Sequence, residues 1–170
     1  MLDYLAELVA TSALREHVLW ALMNVPGLPP IAQAIHIMAI AVVTASAIMI
    51  ALRFLSLAVP SQSPTEMISR LMPWTWWSLL VLLLTGGLFV IARPNRYFYN
   101  PVAQWKFSML AGALTLAFVI HLANKRSPGF WELNGTRLVA ARGISAVALC
   151  LWIGVIFAGR WIAYLDYLIY

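Results

Sequence analysis

The chain has 170 residues, 63% of them hydrophobic and only 10% charged, with a formal charge of +5. Soluble domains average about 45–50% apolar and about 25% charged residues, so a soluble globule with an ordinary polar surface is excluded. The basic excess, 11 Lys and Arg against 6 Asp and Glu, collects at the ends of apolar runs, which points to anionic lipid head groups and away from nucleic acid.

Taken in chain order, residues 1–24 carry Asp3, Glu7, Arg15 and Glu16 among scattered apolar residues. They lack the basic start and cleavage site of a signal peptide. The apolar faces on either side of Thr11-Ser12 do not line up. The segment therefore predicts two short helices at the membrane surface, the second capped by Ser12. Val25-Pro26-Gly27-Leu28-Pro29-Pro30 is a turn. A first span follows over about 31–55, rich in the small residues that let membrane helices approach closely. Arg53 sits at its far end, within snorkelling reach of the interface.

Ser63-Pro64-Thr65-Glu66 fits a capping box. It predicts an interfacial helical turn over 67–72 ahead of Pro73. The second span covers about 74–92, and within it residues 77–92 hold neither charge nor proline. A bilayer core about 30 Å thick needs about 20 helical residues. Pro94–Pro101 is a connection. The third span is about 102–124. Ser127-Pro128-Gly129 opens the last loop, Thr136 is the expected cap of the fourth helix, and that helix covers about 137–164. Cys150, the single cysteine, falls mid-span and reads as a small buried apolar residue. Tryptophans and tyrosines, Trp131 among them, gather near span ends as an aromatic belt.

Only helices and closed barrels satisfy every backbone group in lipid. The fold class is therefore all-α: a polytopic four-helix membrane bundle in one domain, 1–170, with an interfacial N-terminal segment. The face holding the N-terminus carries Arg15, Arg93, Arg96, Lys106 and Arg160. The opposite face carries Arg53, Arg70, Lys125, Arg126, Arg137 and Arg142. The slight excess leans to the opposite face being cytoplasmic.

Ionisable groups inside a membrane are functional candidates. His36 lies early in the first span and His121 late in the third. At about 1.5 Å per residue the two imidazoles are about 20 Å apart in depth, too far to share one haem iron. His17 and His36 flank the Gly27-Leu28 turn almost symmetrically, and a hairpin there would bring them to one level. Haem b or a metal on His36, helped by His17, is the cofactor reading; His121, with no second histidine on its own side, is a separate candidate ligand. The bland reading is that His36 bonds a neighbouring carbonyl or hydroxyl. Arg160 and Lys106 approach the level of His36 and could hold haem propionates, a quinone head group or a lipid phosphate; simple snorkelling is their alternative. No buried carboxylate lies in a span, which disfavours a proton-driven transporter. No hydrolytic site or phosphate loop is visible.

Several strings carry a resemblance. They are Ile35-His36, Leu52-Arg53-Phe54-Leu55, Leu71-Met72-Pro73-Trp74, Thr85-Gly86-Gly87, Tyr99-Asn100-Pro101 followed by Lys106, His121, and the closing Leu151–Val155 and Ala158–Tyr164. Together they resemble an uncharacterised family of four-helix bacterial inner-membrane proteins, a domain of unknown function. More loosely, the architecture is similar to cytochrome b561 and CopD-like copper-resistance bundles. That likeness implies haem or copper chemistry, although two histidines at opposite depths depart from the b561 arrangement. The function expected is a small membrane subunit linked to electron transfer through haem b or quinone. Its partners are the bilayer and other membrane subunits or further copies of the chain. The location expected is the bacterial inner membrane with periplasmic termini. The alternative is a cofactor-free anchor or assembly subunit.

Overall fold

The computed structural model describes residues 2–168, and among these there are helices but no strands. The surface segment forms α1 (Leu2–Ala10) and α2 (Ala13–Asn24), and Ser12 caps α2 by accepting a bond from the Arg15 amide. The four long helices are α3 (Leu28–Phe54), α4 (Pro64–Ala92), α6 (Pro101–Arg126) and α7 (Gly135–Leu168). A short helix α5 (Pro94–Phe98) and a single 3-10 turn (Phe130–Glu132) fill the second and third connections. All four long helices are long and apolar enough to cross a bilayer, and at most 28% of any apolar window is buried inside the protein. The rest needs lipid, so this is a multi-pass membrane protein.

Helix α4 runs through Pro73 without a break, so the interfacial turn and the second span are one element. Pro73 removes the hydrogen bond that would reach the Ser69 carbonyl. Ser69 is exposed, so polar surroundings at the helix end can solvate that carbonyl. The capping box forms as expected: Ser63 Oγ accepts from the Glu66 amide at 3.1 Å, and Glu66 Oε2 accepts from the Ser63 amide at 3.1 Å. Glu132 adds a second carboxylate at this end, accepting from the Thr65 amide at 3.1 Å and the Thr65 hydroxyl at 2.7 Å. Both carboxylates suit the positive end of the helix dipole. Ser63→Ala should lower stability by about 1 kcal/mol, read as a lower unfolding temperature in detergent.

The cap of α7 differs from expectation. Asn134 Oδ1 accepts from the Arg137 amide at 2.9 Å, and Thr136 lies inside the helix. The helix already begins at Gly135, so Asn134 supplies the capping oxygen ahead of the threonine. Asn100 caps α6 in the same manner, toward Val102 and Ala103. Cys150 is exposed, not buried, because the outward face of α7 is as apolar as its inward face. Trp131 is also displaced from the expected belt: it is buried, and its Nε1 donates to the Ile120 carbonyl. Trp20, Trp74, Trp77, Trp105 and Trp161 are exposed, as an aromatic belt requires.

Helix α3 packs chiefly on α4, α6 chiefly on α7, and the two pairs join along α3 and α7. Helices α4 and α6 meet much less closely, and their ring pairs, Trp76 against Phe118 and His121, lie toward the face opposite the N-terminus. The tightest core lies near that same face, where Phe54, Ile68 and Met67 are enclosed with Trp131 and Ala141. At the N-terminal face, α1 packs on α5 and α2 on α4. Tyr99 ties α1 down: partial desolvation, then its contact with the Asp3 carboxylate and the charge of Glu7, push the phenol above its usual value. A group with a raised folded pKa stabilises below its ordinary value of about 10 and loses that contribution as pH rises through the folded value. Proteolysis within α1 should therefore accelerate only in strongly alkaline solution.

Candidate functional site

Toward the N-terminal face, α3 and α4 bring His36 to Thr85, and α6 and α7 bring Lys106 to Gly159. The link between α3 and α4 is direct. His36 Nδ1 lies 2.7 Å from Thr85 Oγ1, and Thr85 Oγ1 lies 2.7 Å from the Val81 carbonyl of its own helix. A threonine in a membrane helix commonly turns its hydroxyl back on the carbonyl four residues earlier. Its lone pairs then face outward and can accept from a neighbouring helix. Gly86 supplies the room. A Cβ there would meet His36 Cε1 at 3.0 Å, whereas one at Gly87 would meet nothing within 4 Å. In the pair Gly86-Gly87, the first glycine is thus the one that fits the imidazole.

Lys106 approaches from α6. Its stem lies over Gly159 of α7, where an added Cβ would stand 3.5 Å from both Cε and Nζ. The side chain is half-buried. Among the described residues no carboxylate or other acceptor bonds its ammonium. Lys106 is also the charge whose field reaches His36. The ammonium is thus close enough for its charge to act on the imidazole, and both groups remain partly accessible.

The other sequence candidates fall elsewhere. His17 is exposed on α2, with Nδ1 at 2.7 Å from the Ala13 carbonyl, a local bond within its own helix. Arg160 is exposed too. Its Nη2 donates to the Tyr164 hydroxyl at 3.0 Å and its guanidinium stands 5.2 Å from that ring, so it lies along α7. His121 stacks edge-on against Trp76 at 5.8 Å between ring centres. Thr85 and Trp76, the α4 partners of His36 and His121, are separated by nine positions, or about 14 Å of helix. The two histidines thus occupy different depths. Among the described residues no three His, Cys, Asp or Glu side chains form a group able to hold a metal.

Thr85, Gly86 and Gly159 are not legible as site residues from their positions alone. The signal is nonetheless present: Thr85-Gly86 interrupts a long leucine-rich run with the hydroxyl and the close-approach glycine that a facing imidazole requires.

No curated protein and no solved structure gives a match to this chain. One family model matches residues 28–165, from the start of α3 to near the end of α7. The match takes in all four membrane helices and every residue of the His36–Lys106 site, and the chain belongs to the family of unknown function DUF6644.

Proposed function

We propose that the protein is a small membrane subunit that binds the head group of a quinone-type electron carrier between His36 and Lys106. The observation that carries this reading is an intramembrane ammonium for which the described residues supply no acceptor, within electrostatic reach of an imidazole that bonds among them through Nδ1 alone. Such groups are costly in lipid and are retained for function. The ring of a lipid-soluble carrier presents two oxygens, which two such groups can hold. Haem b is the weaker fit. His36 Nε2 can ligate an iron, but the described residues supply no second imidazole beside it and no group of three His, Cys, Asp or Glu side chains able to hold a metal. The same reading puts the protein in a bacterial cytoplasmic membrane, with its N-terminal face outward and within a larger redox complex.

The test is made on protein purified in detergent. Its absorption spectrum should lack a Soret band. A short-chain prenyl benzoquinone, supplied oxidised or reduced, should bind saturably in at least one form, and His36→Ala should weaken that binding at least tenfold while the helical circular dichroism is unchanged. A Soret band lost in His36→Ala would replace the quinone reading with haem. Absence of saturable binding, together with tolerance of His36→Ala in cells, would favour a cofactor-free anchor.

A further inference from the structure

The bond chain on α4 fixes which nitrogen of His36 carries a proton. Two oxygens at 2.7 Å, Thr85 Oγ1 and the Val81 carbonyl, require a hydrogen between them. The carbonyl has none to give, so the threonine hydroxyl donates to it. Thr85 has then spent its only hydrogen. His36 Nδ1, also 2.7 Å from Thr85 Oγ1, must donate its own. In the neutral ring, Nε2 is therefore a bare acceptor. A ring flipped about its Cβ–Cγ bond would put carbon where the Thr85 bond is made.

This orders the chemistry of any ligand. The group at Nε2 must bring a hydrogen, and the group at Lys106 must bring an acceptor oxygen. An oxidised quinone has acceptors at both ends, so its second carbonyl would face a lone pair. A hydroquinone satisfies both positions, because each hydroxyl both donates and accepts. We infer that the site selects the reduced, hydroxyl-bearing form of the carrier over the oxidised form. The inference rests on the quinone reading above and concerns binding alone.

Anaerobic titration calorimetry of the detergent-solubilised protein, with the reduced and oxidised forms of one short-chain prenyl benzoquinone, tests it. The wild type should bind the hydroquinone at least about tenfold more tightly, the factor for one satisfied rather than opposed hydrogen bond. Thr85→Val keeps the shape and removes the acceptor, so the preference should fall toward parity. A second measurement does not depend on ligand. Nitrogen-15 histidine spectra, assigned by loss of a signal in His36→Ala, should show Nδ1 protonated and Nε2 bare. Parity, or tighter binding of the quinone, with both forms bound would overturn the inference and leave the binding reading standing. Failure of both forms to bind would remove the reading itself. A proton found on Nε2 in the neutral ring would overturn the inference whatever the affinities.

Discussion

Lys106→Met should abolish most quinone-type binding while leaving the fold as stable as before or more so. The two effects have opposite signs for one reason. An ammonium in a membrane span costs up to about 3 kcal/mol on insertion scales, less near the interface. Among the described residues Lys106 finds no acceptor to offset that cost, and its stem lies on the bare backbone of Gly159. Methionine keeps the length of the stem and removes the charge. A charge-assisted hydrogen bond contributes about 1.5–3 kcal/mol, so affinity should fall by about tenfold to a hundredfold. The measurement is a paired one, unfolding temperature and ligand titration on the same preparation. A fall in both would make Lys106 a structural residue and would remove the main support for the site.

The largest loss of stability is expected from Phe54→Ala, at about 3–5 kcal/mol. Phe54 is fully enclosed, at 0% exposure, among Met67, Ile68, Trp131 and Ala141. Lipid cannot fill the cavity left behind, so the dispersion attraction around the ring is not recovered. The residue also sits where α3 ends. Arg142 Nε donates to the Phe54 carbonyl at 3.0 Å, and its Nη2 bonds Ser56 Oγ at 3.1 Å. Ser56 occupies the left-handed region at φ 61°, where glycine is usual at a helix end. The Leu57 amide still closes the turn onto the Leu52 carbonyl at 2.9 Å. Arg142 thus holds a serine in a conformation it would not choose alone. Chemical unfolding in detergent micelles would read the loss, and the His36–Thr85 end of the bundle should be affected least. An effect below about 1 kcal/mol would mean that the helices repack freely around this corner.

Local signals are readable wherever one segment decides its own structure. Ser12, and Ser63 with Glu66, cap the helices they are expected to cap, because a cap involves residues only three apart. At α7 the cap falls on Asn134 and not on Thr136, since both side chains offer the same oxygen chemistry and the segment does not choose between them. Cys150 and Trp131 depart from expectation for a different reason. Whether either faces lipid or protein depends on the rotation of its segment against neighbours, and nothing within the segment reports that rotation.

The separation of His36 from His121 follows from chain position, because rise per residue converts sequence directly into depth. The pairing of His36 with Thr85 does not follow. Residues 49 apart meet only if α3 and α4 pack with one particular face inward.

Sequence alone determined the number of crossings, their approximate limits and the depth of each polar side chain. These are properties of one helix measured against a slab of fixed thickness. Tertiary structure decided which side chains share a level laterally: His36 with Thr85 and Gly86, and Lys106 with Gly159. In water an apolar stripe would betray the inward face of each helix. In lipid both faces are apolar, so only close packing against a neighbour picks the inward one.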